Sequence, residues 1–194
     1  MDAITQVITQ QLSGGAVRTI AQRFGISETT ANAAVQLGVP LILAALAHNA
    51  AQPEGAENLH QAINKDHHDG SIFGNLTGYL GNPQSANGAG ILRHVFGGQR
   101  PAVENNLAQA TGLDPGSAGG LLEAIAPLVM GAVGQTQHNQ GLDAPGLSHL
   151  LAAQQQQVAT EEPAMMGMLS SMLDQNQDGS SIDDLQRMAA KFFK

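Results

Sequence analysis

Two stretches of the chain share one local pattern, and this repetition constrains the fold more than any other feature. Residues 21–27 and 108–114 both end in a glycine, an apolar residue and a helix-capping residue, at Gly25-Ile26-Ser27 and Gly112-Leu113-Asp114. The same distance further on, each stretch reaches a proline inside an apolar run, Pro40 and Pro127. Such self-similarity indicates a structural unit used twice. Function should therefore be sought where the two copies differ.

The composition predicts that both copies are helical. Hydrophobic residues make up 42% of the 194 residues, yet aromatic residues make up only 3%. Runs of β-branched or aromatic residues suited to strands are missing, while good helix formers recur with a period near 3.6. We therefore expect an all-α fold of two similar multi-helix repeats, residues 1–100 and 101–194, packed together as one compact unit.

Local signals divide each copy into helices. Glycines stop the helices, and Ser27 and Asp114 cap the next ones at their amino ends. A proline within an apolar run is expected to break or kink a helix. In the first copy, the predicted segments are 4–12, 16–24, 28–37, 41–48, 53–64, 71–80 and 90–98. In the second copy, they are 101–110, 121–133 in two parts around Pro127, and a helix from Asp143. A polar helix end and a linker are predicted at 154–157 and 160–163, and closing helices at about 161–173 and 181–193.

Charge and residue usage exclude several functional classes. Sixteen acidic and eight basic side chains give a formal charge of −8, and the basic ones are scattered, so polyanions and anionic membranes are not expected partners. The chain has no cysteine, and its amino end lacks the basic region of a secretory signal. The apolar runs 37–47 and 118–134 are expected to be buried core helices. We expect a cytoplasmic protein without a membrane partner, whose partner is another protein or a second copy.

Residues 18–29 resemble a helix-turn-helix, with a glycine turn and a serine cap between two helices. The alternative function that follows is a DNA-binding regulator using residues 16–37. The second helix, however, carries Glu28 and no Lys or Arg, and only Arg18 and Arg23 lie nearby. Base reading and phosphate contacts usually need basic side chains. The sequence thus favours a helix-packing unit over a DNA reader.

The segment 174–184 carries the most specific chemical pattern in the chain. Oxygen ligands alternate as they do in an EF-hand calcium loop, with Gly179 at the sharp turn. Residue 185, where the bidentate acid is usual, is a leucine, so a shortened loop would close on an acid one or two residues earlier. The alternative is an Asx-turn followed by a serine helix cap. The predicted calcium ligands are Asp174, Asn176, Asp178, Ser180 and either Asp183 or Asp184.

The first copy carries a degenerate counterpart of this loop. Asp66, His67, His68 and Asp69 precede a Gly-Ser pair but lack the alternating ligands. Imidazole and carboxylate groups suit a transition metal, although adjacent histidines in a glycine-rich loop are more often simply solvated. Neither this segment nor any other offers a nucleophile with a matching base and acid, so we do not expect an enzyme.

With these residues in hand, the chain resembles the bacterial YidB-like group, also described as domain of unknown function 937. The resemblance rests on residues 23–27 with the Pro40 helix, on the 90–98 motif, and on the acidic loop before Asp183-Asp184-Leu185. It implies an all-helical fold with a homeodomain-like element. It implies no established activity and no catalytic residues.

Overall fold

The computed structural model describes residues 3–12, 15–65 and 70–161, together with Gly167, and the regular elements in these ranges are all helices. The prediction of an all-α fold is confirmed. The core is aliphatic, as the composition requires, because the largest fully buried side chains are leucines and isoleucines. Small residues fill the remaining space and let the helices approach closely.

The α-helices are α1 Ala3–Leu12, α2 Gly15–Phe24, α3 Glu28–Ala50, α4 Pro53–Lys65, α5 Leu76–Gly81, α6 Gly88–Phe96, α7 Arg100–Thr111, α8 Pro115–Gln140 and α9 Ala144–Glu161. Short 3₁₀ segments cover Ser71–Asn75, Pro83–Ala86 and Gly97–Gln99.

The long helices α3 and α8 pack against each other at the centre. Helices α2, α4 and α9 contact α3, while α1, α6 and α7 contact α8. At the crossing, a Cβ atom built on Gly38 would lie 2.7 Å from Cδ1 of Ile125. Gly38 and Ile125 are equivalent positions when the two glycine turns are aligned. A glycine facing an isoleucine therefore gives the two helices room to touch.

Both prolines lie inside continuous helices, so the prediction of separate segments around them was wrong. Pro40 is inside Glu28–Ala50, and Pro127 is inside Pro115–Gln140. A proline in a helix interior costs roughly 3 kcal/mol, because its ring displaces a carbonyl and it donates no hydrogen bond. Leu41, Ile42, Leu128 and Val129 next to the prolines are almost completely buried. Burial of these apolar side chains offsets the local cost and keeps each helix in one piece.

The two glycine turns have the same local geometry. Gly25 and Gly112 adopt left-handed backbone conformations, with φ of 64° and 72°. The following amides, of Ile26 and Leu113, donate to carbonyls five residues back, both at 3.0 Å. These left-handed turns satisfy carbonyls that would otherwise be orphaned where α2 and α7 end.

The predicted caps that follow the turns are confirmed. The Ser27 hydroxyl accepts a hydrogen bond from the Thr30 amide, and the Asp114 carboxylate accepts one from the Ser117 amide, both at 3.0 Å. Each cap satisfies an amide at the start of a long helix.

The division of the chain into two repeats at residue 100 stays a prediction.

The segment after α4 is more regular than its composition indicates. The weak helix predicted at 71–80 is a 3₁₀ turn followed by α5, and α6 begins at Gly88 rather than Gly90. The predicted polar helix end at 154–157 is instead within α9, and the Gln154 side chain is buried. Tertiary packing holds this glutamine-rich stretch helical where sequence alone indicated the start of a linker.

Helices α3 and α8 are long and apolar enough to cross a bilayer, judged by length and composition. In the most apolar window of each, 67% and 78% of residues are buried inside the protein. The core helix of a soluble protein has the same properties, so this pair does not decide where the protein resides.

Candidate functional site

The predicted metal ligands lie outside the described residues. This holds for the acidic loop at 174–184 and for residues 66–69, so both metal sites stay predictions. Within residues 3–12, 15–65 and 70–161, no group of three or more His, Asp or Glu side chains is arranged to hold a metal ion. Three places among the described residues have polar or concave features that a site would need. They are the helix pair α2–α3 around Gly25, an ionic cluster beside Pro127, and a groove between α3 and α9.

In the helix pair α2–α3 around Gly25, both nearby arginines bond to groups of the protein itself. Arg18 Nε lies 2.9 Å from Glu28 Oε1, and Arg23 Nη1 donates to the Gly81 carbonyl at 2.9 Å. The exposed residues of the second helix include Asn32 and Gln36, which bond to each other at 3.4 Å. The exposed surface of this helix is thus neutral apart from Glu28, whose charge is matched by Arg18.

An ionic cluster joins helices α6, α7 and α8. Arg100 Nε contacts Glu104 Oε1 at 2.6 Å, its Nη2 contacts Glu123 Oε1, and its Nη1 donates to the Ala89 carbonyl at 3.3 Å. The hydrogen bond to Glu104 is the main reason that the pKa of Arg100 lies above its ordinary value. One guanidinium fork therefore ties the start of α7 to α6 and α8.

The first glycine turn lacks an equivalent of this cluster. When the two turns are aligned, the positions that match Glu104 and Glu123 are Val17 and Gln36. The Arg100–Glu104 contact could have been anticipated from sequence, because residues four apart meet on a helix. The contact between Arg100 and Glu123 joins residues on different helices, and no local sequence pattern predicts it.

Two further contacts surround the Pro127 position of α8. Because Pro127 has no amide proton, the Glu123 carbonyl lacks its usual helical donor. A Cβ on Gly88 would lie only 1.9 Å from that carbonyl oxygen. At the next carbonyl, Ala124, the buried Tyr79 hydroxyl donates a hydrogen bond of 2.7 Å.

Burial of Tyr79 raises the pKa of its hydroxyl well above the ordinary value, and the positive charge of Arg23 opposes this only in part. The tyrosine is thus a neutral donor at any ordinary pH. Together, the ionic cluster and Tyr79 hold α5, α6 and α7 onto α8. The arrangement stabilises the fold and offers no reactive group.

A small groove lies between α3 and α9. Its α3 wall is Pro40, Leu43 and Ala44. Its α9 wall is Gln154, Gln155 and Val158, so the groove is mainly apolar with an amide rim. The groove carries no acid, base or nucleophile, and its chemistry suits a hydrophobic contact.

Comparison with known protein families matches the chain to a bacterial family. The family model described as "Bacterial protein of unknown function (DUF937)" matches residues 6–136, which include both glycine turns and both prolines. No curated protein and no solved structure matches the chain. The match ends before the acidic loop at 174–184.

Proposed function

The chain belongs to this bacterial family of unknown function, and from that premise we propose that it is a non-enzymatic binding module built on two helical repeats. It binds calcium through the loop at 174–184 and contacts another protein or a second copy of itself. Asp174, Asn176 and Asp178 supply side-chain oxygens, Ser180 supplies its carbonyl, and Asp183 or Asp184 closes the loop.

The observation that carries this proposal is the uneven placement of acidic residues. Four of the sixteen acids fall within the eleven residues 174–184, where Asp174, Asn176, Asp178 and Ser180 also place oxygen ligands at every second residue, as calcium loops do. The described acids are dispersed, and several have structural partners, as Glu104 and Glu123 do on Arg100. Oxygen ligands at that spacing suit a hard cation such as calcium better than a transition metal.

A calorimetric calcium titration of the full chain, after treatment with a chelator, tests the proposal. We expect one saturable site, weakened at least tenfold by Asp174→Asn. Asp143→Asn is the matched control, because Asp143 lies outside the proposed loop and caps α9 through the Gly146 amide at 2.9 Å, a hydrogen bond that asparagine also accepts. No binding heat, or equal binding by Asp174→Asn, would contradict the proposal.

The same titration assigns the closing acid. Asp183→Asn and Asp184→Asn remove one carboxylate each from adjacent positions. Since a single bidentate acid completes an EF-hand-like site, we expect one of these variants to lose far more affinity than the other. Equal and small losses from both would show that neither acid closes the loop.

The DNA-binding alternative is less well supported. The short glycine turn between α2 and α3 favours it, but the two arginines beside the turn are bonded to Glu28 and to the Gly81 carbonyl. Binding through phosphates strengthens steeply as salt falls. We expect no retardation of duplex DNA even at low ionic strength, and salt-sensitive binding that Arg23→Gln weakens would favour the alternative instead.

A cytoplasmic location and the absence of enzymatic activity are parts of the same proposal. The mostly buried state of α3 and α8 supports a soluble protein, because both helices already have apolar neighbours. The structural roles of Arg100, Glu104, Glu123 and Tyr79 support a non-enzymatic one, because these groups are occupied in holding helices together. Fractionation of cells into soluble and membrane pools tests the location directly.

A further inference from the structure

One stripe of residues on α3 is covered at one end and open at the other. Thr29, Ala33, Leu37 and Pro40 follow each other at helical spacing and continue to Ala44. Ala44 is buried where α9 lies against it, Pro40 and Leu37 are half-buried, and Ala33 and Thr29 are exposed. We call the part formed by Thr29, Ala33, Leu37 and Pro40 the α3 stripe. It carries no charged side chain.

Helix α9 runs antiparallel to α3. Ser148 Oγ donates to the Ala50 carbonyl at 2.7 Å, near the carboxyl end of α3. Further along α9, Gln154, Gln155 and Val158 line one groove together with Pro40, Leu43 and Ala44 of α3. The later part of α9 therefore lies against the middle of α3, and α9 runs toward the amino end of α3. The described part of α9 extends to Glu161.

Beyond Glu161, the direction of α9 points toward Ala33 and Thr29 at the exposed end of the α3 stripe. The sequence that follows becomes apolar, because residues 164–173 read Ala-Met-Met-Gly-Met-Leu-Ser-Ser-Met-Leu and contain no charge. Met165, Met168, Leu169 and Met172 have the spacing of one apolar helix face. Methionine side chains adapt well to a shallow, irregular surface.

We infer that the α3 stripe is the docking surface for residues 164–173 of the same chain. The contact extends the α3–α9 interface past Glu161 and covers the outer face of the helix that follows the Gly25 turn. It also fixes where the acidic loop starts relative to α3. The inference rests on the direction of α9 along α3 and on the exposed α3 stripe, and it does not depend on calcium binding.

Cysteine cross-linking tests this docking cleanly because the native chain has no cysteine. The test pairs are Ala33→Cys with Met165→Cys, and Thr29→Cys with Leu169→Cys, each in the full chain. A bismaleimide with a spacer of about 8 Å suits packed helices, whose axes lie roughly 8–10 Å apart. The control pair is His48→Cys with Met165→Cys, because His48 is exposed on the same helix about 22 Å further along its axis.

We expect intramolecular cross-linking of at least one test pair to exceed that of the control pair several-fold. Equal yields from test and control pairs would overturn the inference. Cross-links that join two chains instead would also overturn it, since a second copy would then occupy the stripe. The near-ultraviolet circular dichroism of Tyr79, the only tyrosine, checks that each variant is folded.

Methionine oxidation in the chain with native methionines is an independent measurement. Peroxide oxidises accessible methionines faster than covered ones. We expect Leu37→Gln to speed oxidation of Met165, Met168 and Met172 several-fold. The control Leu113→Gln changes another half-buried leucine, in the second glycine turn, and should leave those rates unchanged. Equal rates in both variants would contradict docking on the α3 stripe.

Discussion

Gly88, the first residue of α6, lies against the Glu123 carbonyl beside Pro127. An added Cβ would be 1.9 Å from that oxygen, which belongs to the backbone and cannot rotate away. We predict that Gly88→Ala destabilises the protein by about 1–3 kcal/mol, the usual cost of overpacking a core. Gly98→Ala is the control, because nothing lies within 4 Å of its Cβ position. Urea unfolding measures both, and equal midpoints would refute the close approach.

Arg100 is predicted to contribute more to stability than Arg18. Arg100 bonds to Glu104, Glu123 and the Ala89 carbonyl, with 26% of its side chain exposed, whereas Arg18 pairs with Glu28 at 66% exposure. Lysine cannot reproduce a guanidinium fork. We expect Arg100→Lys to cost about 1–2 kcal/mol and Arg18→Lys about 0.5 kcal/mol or less, measured by urea unfolding. A reversed order would contradict the role assigned to the ionic cluster.

Tyr79 provides a prediction at alkaline pH. Because burial raises its folded-state pKa above the unfolded value of about 10, the neutral hydroxyl favours the folded state, and this stability is lost as pH rises above about 10. We expect the tyrosinate absorbance at 295 nm to appear only together with loss of helical circular dichroism. In urea, the same group should titrate near pH 10. Ionisation near pH 10 with the helices intact would show that the hydroxyl is accessible.

At the scale of elements, the caps of α3 and α8 are equivalent in geometry but differ in pH response. A hydrogen bond from the Ser117 hydroxyl is the main reason that the pKa of Asp114 lies below its ordinary value, and a hydrogen bond from the Ser117 amide adds to this effect. That carboxylate therefore stabilises the fold above its unfolded pKa, and the effect is lost as pH falls through the folded pKa. The Ser27 hydroxyl does not titrate.

The two caps can be compared by unfolding experiments across pH. We predict that Asp114→Asn destabilises the protein at neutral pH and that the difference from the native chain shrinks toward zero below about pH 4. Ser27→Ala should cost about 1 kcal/mol at every pH. A constant effect of Asp114→Asn across this range would contradict the lowered pKa.

Sequence reasoning succeeded where local chemistry decides an element. The end of α2 at Phe24 and the caps at Ser27 and Asp114 follow from glycine and side-chain oxygens within a few residues. It failed at Pro40 and Pro127, where burial by other helices outweighs a local preference. The Arg100–Glu123 contact was missed for the same reason, since it depends on how α7 packs on α8.

Across the whole molecule, the described helices form a packed scaffold, and the proposed calcium chemistry lies in a separate segment of sequence. The family match covers the scaffold over residues 6–136 and ends before the acidic loop. The two glycine turns and the two proline-containing helices serve stability, and the ionic cluster at Arg100 has no equivalent at Val17 and Gln36. Binding by the loop should therefore leave the central helices unchanged.

Hydrogen exchange with and without calcium, read by mass spectrometry on the full chain, tests this division most directly. We predict that calcium slows exchange in peptides covering 174–184 and leaves α3 and α8 equally protected in both states, because local opening depends on local contacts. Asp174→Asn should abolish the calcium effect. No change at 174–184, or a calcium effect confined to α3 and α8, would contradict the account.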